Sequence, residues 1–185
     1  RKRERFYLLY LLKQKFYYFF IRIIRSFQNL FISRKDHKFV FVLSPPYCGS
    51  TMLNQLISSS KNVSCNNNIG TREGQLLPGV SHIMFNERRW NEDENYDWQR
   101  IKNVWLKYWD HSKIIFLDKS IPNIMRVDKI NKAFSPIQYL CMVRNPYAQL
   151  EGLMRRNNSS SYESAIFAMR CLKYQYNNIK SHNNL

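Results

Sequence analysis

The stretch richest in chemistry is residues 44–51, Ser-Pro-Pro-Tyr-Cys-Gly-Ser-Thr. It follows an apolar run, Phe39-Val-Phe-Val-Leu43, and precedes a helical pattern that opens at Thr51. A loop in that place turns successive backbone N–H groups toward an anion, and the helix dipole adds roughly half a positive charge. Gly49 lets the backbone approach a ligand closely, and the Ser50 and Thr51 hydroxyls can donate to phosphoryl or sulfuryl oxygens. An ordinary turn closed by a Ser/Thr helix cap accounts for the same residues. Two common nucleotide loops do not fit. GxxxxGK[ST] fails because Ser50 follows Gly49 and no glycine stands five positions earlier. GxGxxG is absent as well. Kinases and ATPases, which manage phosphates with a loop lysine and magnesium, are therefore argued against.

The elements that must position this loop alternate. Phe39–Leu43 is wholly apolar, β-branched and aromatic, as in a strand buried on both faces of a parallel sheet. Ser44-Pro45-Pro46 ends it, because proline cannot continue the ladder. Met52, Leu53, Leu56 and Ile57 then lie along one helical stripe, which closes at Ser58-Ser59-Ser60. Lys113–Leu117 reads as a second buried strand, with a helix from about Asn123 to Ala133. Ile137–Val143 reads as a third, with a helix from about Tyr147 to Arg156, and a last helix covers about Tyr162 to Ile179. Trp98, Ile101, Trp105 and Trp109 form a helical stripe, read as core rather than as a ligand platform. The segment from about Asn62 to Arg89 carries no clear period. Strands alternating with helices imply an α/β fold, a parallel sheet covered by helices on both sides in three layers.

At 185 residues the chain has the size of one domain, and 44% hydrophobic residues suffice for a core. The formal charge of +16 calls for an anionic partner: nucleic acid, anionic lipid or a polyanionic small ligand. Residues 1–38 hold 11 Lys and Arg against Glu4 and Asp36, so much of the imbalance lies there. Within them, residues 6–31 are strongly apolar but broken by Lys13, Lys15, Arg22 and Arg25. The longest charge-free runs, Phe6–Leu12, Phe16–Ile21 and Ser26–Ser33, are far too short for a spanning helix of about 20 apolar residues. A basic amphipathic helix fits, packed on the body, lying on a membrane surface, or derived from a degenerate anchor. Its aromatics alternate with apolar residues rather than lining a polar groove, which argues against nucleic acid. The division expected is a helical segment 1–38 and an α/β domain 39–185.

The four cysteines, Cys48, Cys65, Cys141 and Cys171, form no CxxC pair and no metal-ligand spacing with the four histidines, so structural zinc is not expected. Cys141 reads as a buried strand residue and Cys48 as a loop residue, which leaves the redox compartment open. Arg1 at the start and the Asn-rich Asn177–Leu185 at the end suggest a fragment, or a gene model missing its ends.

Two blocks carry a family resemblance. Phe39–Leu53, FVFVLSPPYCGSTML, resembles the 5′-phosphosulfate loop of sulfotransferases, commonly PxSGT[TS]. Lys119–Arg156, KSIPNIMRVDKINKAFSPIQYLCMVRNPYAQLEGLMRR, resembles the second half of that family's cofactor site, where a strand ends in Arg followed by Asp or Asn and Pro. The blocks lie in the right order at the C-terminal ends of expected parallel strands, where open α/β sheets bind ligands. The resemblance implies a P-loop-like sulfotransferase fold. It also implies 3′-phosphoadenosine 5′-phosphosulfate as donor, no metal, and a hydroxyl or amine acceptor on a carbohydrate, protein or lipid.

By the same resemblance Pro46, Tyr47, Cys48, Gly49, Ser50, Thr51, Arg144 and Gly152 hold the cofactor, Arg144 through its 3′-phosphate. A strand-end ion pair is the other reading of Arg144. Asn145-Pro146 would start the next helix. Lys119 resembles a lysine that approaches the sulfuryl group in protein-tyrosine sulfotransferases; a solvated strand-end lysine is its alternative. Glu73, in Gly70-Thr-Arg-Glu-Gly74, stands where related enzymes place a catalytic glutamate; Asp118 is the second candidate, and a plain loop carboxylate the alternative. Arg126 either adds charge near the cofactor or sits on a helix surface. Tyr47 stands where the family often has Lys or Arg, Gly152 where it often has Ser, and segments beyond the last helix are expected to be missing. A weakly active or inactive cofactor-binding fragment, or a membrane-surface module, is the second functional reading. The compartment stays open between cytoplasm, membrane periphery and Golgi lumen.

Overall fold

A computed structural model describes residues 2–32 and 36–182. Arg1, the end of the Ser26–Ser33 run, residues 34–35 of the basic segment and the last three residues of the Asn-rich stretch lie outside the described residues. The order is α1 (Lys2–Leu30), β1 (Lys38–Leu43), α2 (Ser50–Ser58), β2 (Val63–Cys65), α3 (Ser81–Met84), α4 (Trp98–Trp105), β3 (Ile115–Asp118), α5 (Val127–Ala133), β4 (Ile137–Cys141), α6 (Pro146–Asn157) and α7 (Ser161–Ser181). Short 3₁₀ turns occupy Gly74–Leu76, Glu87–Trp90 and Ile121–Met125.

The four strands form one parallel sheet in the order β2-β3-β1-β4. Because β1 is central, Phe41 and Leu43 on one face and Val42 on the other are all buried. The Phe41 face carries the larger core, with Trp98, Ile101 and Trp105 of α4, Val127 and Ile130 of α5, and Cys171 of α7. The Val42 face packs on Leu53 and Ile57 of α2. The chain therefore moves from β1 to β2 under one face and returns from β3 past β1 to β4 over the other. Reversing direction and face together gives both crossovers the same hand. The reversal leaves a crevice at the carboxyl ends around β1.

Burial explains the local choices. The tryptophan stripe is core: Trp105 and Trp109 are fully buried, and Trp109 stacks on Phe116 with ring centroids 4.8 Å apart. Fully burying such a side chain contributes about 1.5–3 kcal/mol. Both indoles also donate, Trp105 Nε1 to Gly74 O and Trp109 Nε1 to Leu117 O. Three expectations need correction. The third strand ends at Cys141, not Val143, and it is an edge strand whose Gln138 and Leu140 are exposed, so β4 is not buried on both faces. The unreadable segment contains β2, three residues at the opposite edge, too short to show a period. The helix expected from Asn123 begins as the 3₁₀ turn Ile121–Met125 and becomes α-helical only at Val127.

Helix α1 lies on the body. Tyr18 is buried in the large core and donates to Asn67 Oδ1 at 3.3 Å. Arg25 Nη1 meets Asp110 Oδ2 at 2.8 Å, and Asn29 accepts from His111 N at 3.1 Å. Among the described residues no helix is long and apolar enough to cross a membrane.

Candidate functional site

A cleft of about 550 Å³ opens at the carboxyl ends of β1, β3 and β4. Its lining includes Pro46, Tyr47, Gly49, Ser50 and Thr51 after β1, Lys119 after β3, and Arg144 after β4. Glu73 reaches it from the loop after β2, and Gly152 from α6. Residues far apart in the chain thus share one cavity because parallel strands end on the same side.

The loop after β1 turns into α2 through Gly49, whose φ of 90° is a left-handed value that glycine adopts without steric cost. No side chain caps α2; Met52 N turns back to Gly49 O at 3.0 Å, which leaves the N–H groups of Ser50 and Thr51 for the cleft, and a Cβ placed on Gly49 would meet nothing within 4 Å. That is an open cradle, not a packed turn.

Lys119 is the other fixed point. Its side chain is about 1% exposed, yet its Nζ donates to Thr51 Oγ1 and to Glu73 Oε1, both at 3.2 Å. Thr51 Oγ1 in turn donates to Thr71 O at 3.4 Å. Glu73 Oε2 accepts from Gln75 Nε2. The Glu73 backbone is held just as firmly. Asn67 Nδ2 donates to Glu73 O at 2.8 Å, and Gly74 N to Asp118 Oδ1 at 3.0 Å. A Cβ on Gly74 would collide with Asp118 Oδ1 and Asn66 Nδ2, so only glycine fits there.

Asp118 is a structural hub. It is fully buried, accepts from Asn66 Nδ2, Gly74 N, Ser120 N, Ser120 Oγ and Asn123 Nδ2, and does not line the cleft. Burial pushes its carboxyl up, while the donors around it pull the other way. Its geometry fixes the loops that carry Glu73 and Lys119 and offers no face to a substrate.

Arg144 donates through Nη1 to Tyr47 O at 2.7 Å, which ties the end of β4 to the β1 loop and uses one of five guanidinium donors. Asn145 caps α6 by accepting from Tyr147 N at 2.9 Å, with Pro146 at the first helical position. Tyr47 adopts φ 61° and lays its ring over α6, where a Cβ on Gly152 would stand 3.1 Å from Tyr47 Cβ. Its hydroxyl donates to Asn157 Oδ1 at 2.7 Å, and the Arg156 guanidinium lies 5.8 Å from its ring centroid.

Two expected residues sit differently. Cys48 is buried and absent from the cleft lining; burial pushes its thiol up to about 11 against the lowering charge of Arg144. Arg126 is on no surface: it is about 1% exposed and lies outside the cleft lining. It donates to Pro122 O at 3.0 Å, Arg89 O at 3.1 Å and Asn91 O at 2.8 Å, with Tyr96 under its guanidinium. Arg126 thereby holds the far wall, Phe85, Arg89 and Trp90, which sequence reading left unassigned. Arg155 and Arg156 were missed too, although the pair is plain in the sequence at the end of an expected helix. Together the lining carries five cationic side chains, Arg89, Lys119, Arg144, Arg155 and Arg156, against two carboxylates, Glu73 and Glu151. Glu151 is committed to Arg155 at 2.6 Å, so the cleft favours an anion. Among the described residues no group of three His, Cys, Asp or Glu is placed to hold a metal ion. Compared with protein-family models, curated proteins and solved structures, the chain matches none.

Proposed function

We propose that this protein is a sulfotransferase that takes its sulfuryl group from 3′-phosphoadenosine 5′-phosphosulfate and delivers it to an acceptor hydroxyl or amine. One observation carries this: a single cationic cleft joins the uncapped start of α2, the buried Lys119–Glu73 pair and Arg144. The cleft volume lies within the usual 300–1,000 Å³ of small-molecule sites, approximately the class a nucleotide needs. The open space at Gly49 suits a phosphosulfate oxygen that must come close to backbone. The free donors of Arg144, on the neighbouring strand, suit the 3′-phosphate.

The donor supplies an activated sulfuryl group; the chain supplies position and charge. Lys119, steered by Thr51 and Glu73, offsets negative charge that grows on the sulfuryl and bridging oxygens. Glu73 takes the proton that the acceptor loses, using carboxylate lone pairs not spent on Lys119 and Gln75. Asp118 and Gly74 hold Glu73 to that task through the backbone.

Thermal protection tests the assignment. Adenosine 3′,5′-bisphosphate should stabilise the chain more than AMP, which lacks the 3′-phosphate. A charge-assisted contact of about 1.5–3 kcal/mol corresponds to roughly 10–150-fold in affinity. Arg144→Ala should erase that preference. Equal protection by the two nucleotides, or preference retained in Arg144→Ala, refutes the reading.

A further inference from the structure

Helix α1 is docked by the side opposite its greasiest one. Tyr18, Arg25 and Asn29 face the body, through the core, Asp110 and His111. Facing away at three- and four-residue spacing stand Phe16, Phe19, Phe20, Phe27 and Leu30, continued by Phe31, each 57–87% exposed. At 1.5 Å per residue the helical part of this stripe runs about 20 Å. The polar anchors opposite prevent the helix from rolling to bury it.

Charge decides the occupant. Lys13 flanks the stripe on one side and Lys15 on the other, both exposed, and no carboxylate occurs between Glu4 and Asp36. Residues 1–38 hold 11 Lys and Arg against two acids, so a second copy seated on the stripe would bring two strongly cationic segments together. Phenylalanines between lysines whose stems can lie along the apolar surface suit a bilayer interface with anionic headgroups. We propose that the exposed stripe of α1 docks this protein on an anionic lipid bilayer, with the phenylalanines at the headgroup–acyl boundary and the helix parallel to the surface.

Flotation of the full chain with vesicles tests this, using phosphatidylcholine alone or with 30% phosphatidylserine at about 0.1 M salt, near a 10 Å Debye length. Binding is expected on the serine-containing vesicles and should weaken as salt rises. Replacing Phe16, Phe19, Phe20 and Phe27 with Ser should cut partitioning about a hundredfold or more while leaving Tm nearly unchanged, since these side chains touch solvent. Lys13→Glu with Lys15→Glu leaves the stripe intact and should cost at least about tenfold on anionic vesicles only. No binding by the full chain, or binding indifferent to both sets of substitutions, overturns the proposal. So does a wild-type dimer in size-exclusion chromatography that the Phe→Ser variant converts to monomer, because a second copy would then be the occupant.

Discussion

The Lys119–Glu73 pair gives the sharpest prediction because burial and function pull on it differently. The charges stand 3.2 Å apart with side-chain exposures of 1% and 7%. At an effective dielectric of ~20 their attraction is about 5 kcal/mol, most of it offset by the cost of leaving water. Removing one partner strands the other: Glu73→Gln leaves the ammonium only neutral acceptors and no counter-charge, and Lys119→Met leaves the carboxylate only Gln75. Each single variant should lose roughly 3–5 kcal/mol, a fall of roughly 6–20 °C in Tm at this chain length. The Glu73→Gln/Lys119→Met double variant should return to within about 2 kcal/mol of the parent, because no uncompensated charge remains.

Differential scanning fluorimetry with adenosine 3′,5′-bisphosphate then separates structure from site. A ligand at 100 times its Kd adds about 2.7 kcal/mol to the parent. In Glu73→Gln the stranded ammonium meets the ligand's anion, so the shift should grow; in Lys119→Met it should shrink. Single variants that each cost under about 1 kcal/mol would mean an ordinary surface pair. A ligand response that moves the same way in both variants would refute the placement of Lys119 beside the anion.

Two further outcomes follow from the same geometry. Gly152→Val should cost about 1–3 kcal/mol in chemical denaturation, because the new Cβ meets Tyr47 Cβ at 3.1 Å; in a Tyr47→Gly background, which removes that Cβ, the same substitution should cost much less, and additive effects would show that the two do not touch in solution. Burial holds His111 below its ordinary value of 6.5, beside His37, Asp110 and Arg25, so the folded state binds fewer protons than the unfolded. Stability contributed this way is complete above about pH 6.5 and declines as pH falls below it; His111→Gln should flatten the slope of Tm against pH there, and an unchanged slope would exclude His111 as its source.

What could be read from the sequence was what burial writes as a pattern. Phe39–Leu43 announced a central strand because both its faces are covered, and Trp98, Ile101, Trp105 and Trp109 announced a core stripe. Strand β2 could not be read, because three residues fit no period and its position depends on backbone bonds to β3. The loop bearing Glu73 is ordered by Asn67, Asp118 and Arg72, which bonds Asn54 Oδ1 at 2.7 Å; such bonds span from six to 44 residues and leave no periodic trace. Arg126 was misplaced for a specific reason. The 3₁₀ turn through Pro122 delays the helix to Val127, so Arg126 becomes the cap residue and turns inward rather than riding an exposed face.

The two cleft positions that depart from the sulfotransferase pattern, Tyr47 and Gly152, are one packing unit. Tyr47 bears a left-handed φ of 61°, which costs a non-glycine residue about 1–2 kcal/mol. The conformation is held by the ring's seat on Gly152, by the bond to Asn157 and by Arg144 on the Tyr47 carbonyl. A Cβ at 152 would press on Tyr47 Cβ at 3.1 Å and Cγ at 3.4 Å, so the ring's seat depends on glycine at 152. A lysine or arginine at 47 would add a cation from the loop; here Arg156 stands against the Tyr47 ring, and its charge enters the cleft from α6 instead. The cleft thus has a cation beside position 47 without a basic side chain there, and the phenol at 47 does not by itself argue against anion binding.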